Sequence, residues 1–311
     1  MKKLLLIFFP FSINAQAQVI NASSPYRVSA IATCSYLLNQ YSGAAAAYSL
    51  RKLDCGYSGS AIKVRRSSDN TEQNIGFETN GGLDTSALKD FIGSNNGYVS
   101  VWYDQSGNGL NVSQTTYSNQ PVIATSGVIE RQSGLPSIKF VASNSNYFSG
   151  GNILNNDSLI LNVYSVSKLG SAATQAIISK SNGDVASNKW TLFKLSGNAQ
   201  AWYIDGFTNR SASGSFSSTS NTLFQYYANK STDTVQVLTN NTQLAVNTSG
   251  ISDGAWSTTY TLYIGAYNGS GGNVTISGYY LDGTIQEIIV YKKALNRSSV
   301  NSLINSYYSL Y

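Results

Sequence analysis

The side chains that could do chemistry in this chain are carboxylates, because the sequence contains no histidine. That absence excludes a Ser-His-Asp or Cys-His nucleophile system, a histidine-ligated zinc and an imidazole general base. Glycoside hydrolysis remains open, because it needs two carboxyl groups, one protonated to assist the leaving group and one ionised to attack or to activate water. Eleven aspartates and four glutamates are available, the glutamates being Glu72, Glu78, Glu130 and Glu287.

Nucleotide and nucleic-acid chemistry are not predicted. The glycine-rich stretch Gly265 to Gly272 lacks the Lys-Ser/Thr ending of a phosphate-binding loop. The densest basic cluster, Lys63-Val64-Arg65-Arg66, is interpreted as the solvated face of a strand, because a nucleic-acid footprint needs a stripe of cations with interleaved aromatics. Charged residues make up 11% of the chain, against about 25% in an average domain. We therefore expect uncharged partners.

The first eighteen residues predict export. Lys2 and Lys3 precede an apolar run from Leu4 to Phe11, and Ala15-Gln16-Ala17 follows, which is the order of a secretory signal peptide. A buried N-terminal strand is the alternative. The apolar run is shorter than the roughly 20 residues of a membrane-spanning helix. The sequence therefore predicts a secreted or cell-surface protein without a membrane span, whose net charge falls from +5 to +3 when the two leader lysines are removed.

Cys34 and Cys55 are the only cysteines. In an oxidising compartment such a pair is most simply a disulfide that closes one loop, and two free thiols are the alternative.

The elements that must position these residues are mostly strands. Helices are predicted from Ser42 to Leu53, after Asp84 as N-cap, and from Arg297 to Tyr308. Between them, short segments rich in aromatic and β-branched residues alternate with Gly, Asn and Ser clusters, which indicates a sandwich or barrel in a single domain, residues 19–311. The strands are predicted at Tyr98–Tyr103, Leu159–Ser167, Ala176–Ser179, Trp190–Leu195, Ala199–Ile204, Thr222–Ala228, Thr234–Leu238, Tyr260–Ile264 and Thr284–Tyr291.

Three stretches near the N-terminus carry a resemblance to a known family. Ala47-Tyr-Ser-Leu-Arg-Lys-Leu, Gly59-Ser-Ala-Ile-Lys-Val-Arg-Arg-Ser-Ser-Asp69 and Val101-Trp-Tyr-Asp-Gln-Ser-Gly107-Asn resemble motifs of the α-L-arabinofuranosidase B catalytic domain, in the same order. The segment from Gly283 to Tyr291, with the helix after it, is similar to the end of laminin-G-like domains. The resemblance implies an all-β, concanavalin A-like jelly-roll β-sandwich with short N-terminal helices and a C-terminal helix.

The same resemblance implies positions for the family's two catalytic carboxylates, and neither position holds one. Ser196 stands at the position of the nucleophilic Glu, and Tyr267 at the position of the acid/base Asp. A serine without a base is a poor nucleophile, and a tyrosine with a pKa near 10 is a poor acid for a sugar leaving group. Asp205 and Asp282, on neighbouring strands, are the fallback catalytic residues.

A lectin-like site is the other interpretation of the same region. Aromatic faces stack on sugar C–H surfaces, while amides and hydroxyls bond the ring hydroxyls. The predicted ligand-binding residues are Trp202, Tyr203, Asp205, Tyr267 and Asn268. Core packing is the alternative for each aromatic residue taken singly.

The motif from Trp102 to Gly107 is interpreted as a side-chain-capped turn rather than a site. Laminin-G-like relatives often hold calcium at such loops, but no stretch here has closely spaced acidic ligands. We therefore predict no cofactor, with calcium as the alternative.

Three functions follow from these patterns. The first is a non-catalytic carbohydrate-binding or adhesive module whose partner is a glycan or polysaccharide. The second is an arabinofuranosidase-like glycoside hydrolase with displaced carboxylates. The third, which rests on analogy of fold, is a structural or receptor-facing component of a surface or virion assembly. The sequence identifies no protein partner.

Overall fold

The structure is a computed structural model that describes residues 34–155, 159–172, 174–180, 189–195, 198–205, 208–215, 220–248, 260–267 and 279–311. For residues 189, 195, 198–205 and 208–211 it describes the backbone alone. Ser35–Tyr311 forms one compact unit. The predicted leader, residues 1–18, lies outside the described residues, and the domain boundary at residue 19 stays a prediction.

The described chain is built from twenty-one strands and three α-helices. The helices are α1 (Leu37–Gln40), α2 (Thr85–Ile92) and α3 (Arg297–Tyr308). The strands are β1 (Ala46–Ser49), β2 (Ile62–Arg66), β3 (Glu72–Ile75), β4 (Gly97–Trp102), β5 (Val112–Ser113), β6 (Val122–Thr125), β7 (Val128–Ile129), β8 (Arg131–Gln132), β9 (Leu135–Pro136), β10 (Ile138–Phe140), β11 (Phe148–Gly151), β12 (Ile160–Leu169), β13 (Gln175–Lys180), β14 (Lys189–Leu195), β15 (Asn198–Asp205), β16 (Thr208–Ser215), β17 (Thr222–Asn229), β18 (Thr234–Thr239), β19 (Thr242–Asn247), β20 (Leu262–Ile264) and β21 (Gly283–Tyr291).

Antiparallel pairing arranges these strands in two layers. The layer that we call the front sheet has the order β3-β2-β4-β5-β11-β20-β13-β14-β15-β16. The back sheet has the order β1-β21-β12-β17-β18-β19. Strand β6 pairs with β4 of the front sheet and with β10, and β10 pairs with β21 of the back sheet. The predicted all-β sandwich is confirmed.

The main hydrophobic core lies between the two sheets. Trp102, Phe148 and Ile264 of the front sheet and Val163 and Val290 of the back sheet belong to the same buried cluster. Alternation along each strand directs every second side chain into this core, so the intervening side chains point to the outer side of their sheet. A second cluster on the outer side of the back sheet joins Tyr164 and Ile289 to Val300 and Ile304 of α3. The back sheet is therefore covered by helix, whereas the outer face of the front sheet carries polar residues.

Two of the predicted helices are confirmed. The Asp84 side chain accepts from Ala87 N at 2.9 Å and caps α2, which buries Leu88 and Ile92. Helix α3 has the predicted bounds, and Asn296 accepts from Ser299 N at 3.2 Å at its start. Such caps satisfy backbone donors that have no partner within the helix.

The predicted helix from Ser42 to Leu53 is wrong. Residues Ala46–Ser49 form β1, which pairs with the central strand β21. Alanine favours helices, but the preference is under 1 kcal/mol per residue and tertiary pairing overrides it. Ala46 packs into the core between the sheets and Ala47 into the cluster under α3, and both are fully buried. Both faces of this strand are buried, so the sequence shows no alternation.

The predicted disulfide is confirmed, because Cys34 and Cys55 are both disulfide-bonded and are the only cysteines. Within the described residues, no helix is long and apolar enough to cross a membrane.

Candidate functional site

One continuous row of paired residues crosses the whole front sheet. Each member is the register partner of the next. The row runs Asn74, Lys63, Val101, Ser113, Ser149, Tyr263, Ser179, Thr191, Trp202, Ser211. For the first eight members the adjacent residue in the strand lies in the core between the sheets, so their side chains point away from that core. Five successive members, from Ser113 to Thr191, carry hydroxyl groups. Ser113 and Ser149 are partly exposed, whereas Ser179 is buried and its hydroxyl donates to Ala266 O at 2.8 Å.

Four further tyrosines lie on the same face of the sheet as Tyr263, which is itself a member of this row. The Tyr147 ring lies 5.7 Å from Tyr263 and 6.3 Å from Tyr280, between ring centroids. Tyr279, the neighbour of Tyr280, lies 5.4 Å from Tyr267. We call these five residues the tyrosine belt. Tyr147, Tyr279 and Tyr280 are half-buried, so part of each ring faces solvent.

Tyr263 and Tyr267 form the buried part of the belt. Tyr263 is 6% exposed and Tyr267 is 8% exposed. Burial raises the pKa of Tyr263 above its ordinary value, so its hydroxyl keeps its proton at neutral pH. A protonated phenol both donates and accepts hydrogen bonds, which suits a neutral polar ligand.

A pocket of about 440 Å³ opens beside Tyr147, at one side of the row. We call it the Ser149 pocket. It is lined by Asn111, Ser113, Gln114, Thr115, Thr116, Tyr147, Ser149, Gly150 and Gly151. All these side chains are uncharged, and most of them carry hydroxyl or amide groups. The pocket can therefore bond hydroxyl groups but supplies no general acid or base.

Among the sequence-predicted site residues, the structure describes the side chain of Tyr267 and brings it to β14. The Tyr267 ring lies 6.4 Å from Phe193, which stands three residues before Ser196. Tyr267 therefore packs against β14, the strand that ends at Leu195. Ser196 itself and Asn268 lie outside the described residues, so their placement stays a prediction.

Trp202, Tyr203 and Asp205 lie on β15, where the backbone alone is described. Trp202 pairs with Thr191 of β14 and therefore stands in the row. Tyr203 pairs with Trp190, and Asp205 stands at the far end of the hairpin opposite Thr208. Thr191 is buried, and its hydroxyl has no hydrogen-bond partner among the residues whose side chains the structure describes.

The two fallback aspartates stand at opposite ends of the strands. Asp282 N donates to the Gln175 side chain at 3.1 Å, and Gln175 begins β13. Register pairs Gln175 with Lys194 and Lys194 with Ala199, six residues before Asp205. At about 3.3 Å per residue the separation along the strands is roughly 20 Å, well beyond the about 5 to 9.5 Å between paired glycosidase carboxyl groups. Asp205 and Asp282 therefore cannot act as a pair with each other.

Glu287 is enclosed in a buried ion pair. Its carboxylate accepts from Arg51 Nε at 2.7 Å and Arg51 Nη2 at 2.9 Å, and also from Ser49 Oγ and the Tyr308 hydroxyl. Burial alone would lower the pKa of Arg51, but the Glu287 carboxylate outweighs burial and holds that pKa above its ordinary value. Arg51, Ser49 and Tyr308 all donate hydrogen bonds to the Glu287 carboxylate, so this glutamate stabilises the fold.

The motif around Asp104 serves the fold as well, which agrees with its interpretation as a capped turn. Asp104 Oδ1 accepts from Ala47 N at 2.8 Å and Ser106 N at 2.9 Å, and Oδ2 accepts from Leu110 N at 3.0 Å. Gln105 accepts from Leu53 N and donates to the carbonyls of Ser49 and Arg51. The motif therefore fixes the segment around β1 to the end of β4.

The interpretation of Lys63 to Arg66 as a solvated face is wrong for Arg65. The segment forms strand β2 as expected, but Arg65 is buried, with its guanidinium 4.6 Å from the Tyr98 ring and 4.3 Å from the Tyr117 ring. Arg65 Nε donates to Gln120 at 2.6 Å. Because aromatic rings and amides satisfy a weakly hydrated guanidinium, the residue is buried without a carboxylate.

No cluster of three or more Cys, Asp or Glu side chains that could hold a metal ion occurs in the part of the chain that the structure describes. Sequence reasoning missed Tyr147, Tyr263, Tyr279 and Tyr280. The alternation around Tyr263, between Leu262 and Ile264, was the one local signal that its ring faces away from the core.

Comparison with known proteins confirms the predicted resemblance. The family described as "Alpha-L-arabinofuranosidase B, catalytic" matches residues 34–136. This matched part contains Asp104 and Gln105 and ends at β9. No curated protein sequence matches the chain significantly.

Solved structures agree in fold. A GH54 α-L-arabinofuranosidase soaked with a cyclic sulfate inhibitor is similar with a TM-score of 0.59 at 16% identity. An arabinofuranosidase complexed with arabinofuranosyl-α-1,2-xylobiose is similar with a TM-score of 0.58 at 15% identity. Each comparison covers 84% of this chain and 62% of the other. At these identities the likeness shows the β-sandwich fold alone.

Proposed function

We propose that this chain is a non-catalytic carbohydrate-binding or adhesive module that binds a glycan or polysaccharide on the outer face of its front sheet. The observation that carries the proposal is the tyrosine belt over a row of five successive hydroxyl-bearing residues. Half-buried rings offer flat apolar surface to sugar C–H groups, and the partly exposed hydroxyls of Ser113 and Ser149, with the neighbouring amides, can bond the sugar hydroxyls.

Two of the ligand-binding residues expected from the sequence support this proposal. Tyr267 belongs to the belt, and Trp202 stands in the row through its pairing with Thr191. Tyr203 and Asp205 occupy the alternate positions of β15, where Tyr203 pairs with the core residue Trp190, so neither stands in the row. Asn268, the neighbour of Tyr267 along the chain, stays in the proposed set. The buried Thr191 hydroxyl, which has no partner among the described residues, would be satisfied by a water molecule.

Hydrolysis is the second candidate, because the matching family is that of a catalytic domain. Against it, the family positions hold Ser196 and Tyr267, and Asp205 and Asp282 are too far apart to serve as one acid/base pair. Glu287, which is fully bonded to Arg51, is also unsuited to the role. Binding without turnover is the better-supported function.

Export is part of the proposal. The order of charges, apolar run and small residues in positions 1–18 is that of a signal peptide, and the disulfide between Cys34 and Cys55 fits an oxidising compartment. With 11% charged residues, the expected partner is neutral rather than a nucleic acid.

A glycan array probed with the mature protein tests the binding proposal. We expect binding to a defined set of neutral glycans, and we expect Tyr280→Ala to weaken it about tenfold or more, because a stacking surface is lost. Tyr311→Ala is the matched control, since Tyr311 is 51% exposed and is not part of the belt. No glycan binding, or equal loss in both variants, contradicts the proposal.

The hydrolytic alternative has its own assay. Incubation with aryl-arabinofuranoside should release no aryl alcohol. If the wild type releases aryl alcohol and Asp205→Ala or Asp282→Ala abolishes that release, the chain is a glycoside hydrolase and the non-catalytic proposal is wrong.

A further inference from the structure

The Ser149 pocket and the tyrosine belt adjoin each other on the front face. Tyr147 belongs to both, because it lines the pocket and its ring touches Tyr263 and Tyr280. Along the row, Ser149 and Thr191 are separated by three strand steps, which is about 14 Å at the usual strand spacing. A ligand that reaches from the pocket to the Tyr267 end of the belt must be longer than one sugar ring.

The walls of the pocket are held in place before any ligand arrives. Gln114 is buried, its side-chain amide donates to Tyr147 O at 3.2 Å, and its side-chain oxygen accepts from Thr116 N at 2.9 Å. One amide group therefore joins the Thr115–Thr116 wall to the Tyr147 wall. Gln120 fixes Gln114 in turn, by donating to its carbonyl at 2.9 Å. A preformed pocket binds without the entropic cost of ordering its walls.

The chemistry of the pocket selects for uncharged groups. Asn, Gln, Ser and Thr each supply donors and acceptors, which match sugar hydroxyls. No described residue that lines the pocket is charged. The guanidinium of nearby Arg65 is enclosed between Tyr98 and Tyr117 and bonded to Gln120. A carboxylate or sulfate in the pocket would lose water and gain no opposite charge.

We infer that the Ser149 pocket is a second subsite for an uncharged sugar, so that the chain recognises a run of neutral sugars within a polysaccharide rather than a single terminal residue. This inference rests on the proposed carbohydrate-binding function. It adds to that function the class of ligand, which is a chain of neutral sugars. It also adds the pocket residues that would bind the part of this chain farthest from Tyr267.

Calorimetric titration with oligosaccharides of increasing length, from the monosaccharide to the hexasaccharide of the polysaccharide found on the array, tests the inference. The wild-type affinity should rise with length until both the belt and the pocket are occupied. Thr115→Trp, which fills the pocket from an exposed position on its wall, should weaken the longest oligosaccharide about tenfold and leave the shortest unchanged. Ser118→Trp, an exposed position on the same loop outside the pocket lining, is the matched control.

A second series replaces neutral sugars with uronic acids at the same length and should bind about tenfold more weakly. The Ser113→Ala/Ser149→Ala double variant removes two pocket hydroxyls without adding bulk and should reproduce the loss on long oligosaccharides. If Tyr280→Ala weakens binding while Thr115→Trp and the double variant do not, the subsite inference fails and the binding function stands. Equal binding of the uronic acid series would overturn the neutral-chain assignment. Absence of any binding by the wild type would overturn both.

Discussion

Glu287 is a carboxylate of the type used in catalysis, but in this structure it stabilises the fold. Its side chain is 1% exposed and is bonded on all sides, by Arg51, Ser49 and Tyr308. A carboxylate used in hydrolysis needs access to substrate and to water, and this one has neither. From the sequence alone, Glu287 was one candidate acid among fifteen, because burial and partners are set by pairing between β1 and β21.

Glu287→Gln should lower the free energy of unfolding by about 3–5 kcal/mol, because it leaves the Arg51 charge buried without its partner. Urea denaturation followed by tryptophan fluorescence measures the change. Glu72→Gln is the control: that residue lies 3.8 Å from Lys63 in a solvent-accessible pair, so the loss should stay within about 1 kcal/mol. Equal effects in the two variants would mean that Glu287 is not held as described and is available for other roles.

Lys180 provides a second testable prediction about a single residue. It is fully buried in β13, where its ammonium donates to Asn152 Oδ1 and Tyr260 O. Burial, with a smaller contribution from Lys292, lowers the pKa of Lys180 to about 8 from 10.5. Between these values the unfolded chain binds more protons than the folded chain, so stability rises with pH across that window.

The free energy of unfolding of the wild type, measured relative to Lys180→Met, should therefore increase between pH 8 and 10 by roughly 1–3 kcal/mol. The difference between the two proteins cancels the titration of groups that they share. Parallel pH profiles for the two proteins would show that the lysine titrates normally.

Local pattern was sufficient to place nine of the twenty-one described strands and two of the three described α-helices. Helix α3 was predicted with its observed bounds, because Val300, Leu303, Ile304 and Tyr307 recur at helical spacing. The segment Ser42 to Leu53 was mispredicted because β1 is buried on both faces, and a strand without alternation looks like a helix when it is rich in alanine.

The tyrosine belt could not be predicted from the local sequence pattern of any one segment. Tyr147 precedes β11, Tyr263 lies in β20, and Tyr279 and Tyr280 precede β21. These segments meet only because β11 pairs with β20, and such long-range register is not encoded in the spacing of any one segment. The predicted Tyr267 was found through family resemblance, and the rest of its cluster became visible in the structure.

The Asp104 turn tests whether the family-like motif serves structure alone. Asp104→Ala removes the acceptor of three backbone N–H groups and should cost about 3 kcal/mol of unfolding free energy. Asp90→Ala, at an exposed position on α2, should have little effect. Glycan affinity should be unchanged in both variants wherever they are folded. Loss of glycan binding by Asp104→Ala at unaltered stability would place the motif in the binding site.

The disulfide also acts between secondary-structure elements, because it links Cys34, before α1, to Cys55, before β2. The Cys34→Ser/Cys55→Ser variant should lose about 3 kcal/mol of unfolding free energy, because the unfolded chain regains the freedom of the closed loop. Denaturation of the wild type with and without reductant is the matched comparison. A variant as stable as the oxidised wild type would contradict the role of the bond.

At the scale of the whole molecule, the two outer faces of the sandwich differ. The back sheet is buried under α3, and the core between the sheets is apolar. The front sheet presents the row, the tyrosine belt and the Ser149 pocket on its outer face. The all-β sandwich was predicted from short strands and turn residues, but which outer face stays free of helix α3 could not be, because that depends on where α3 packs.

The structure of the mature protein in complex with the neutral oligosaccharide selected on the array tests the central claim most directly. We predict a sugar ring stacked on Tyr147 or Tyr280, with carbon atoms about 3.5–4 Å from the aromatic ring, and an intact glycosidic bond after prolonged incubation. A ligand bound on any other surface, or cleaved sugar beside Asp205 or Asp282, would contradict a front face that binds glycans without hydrolysing them.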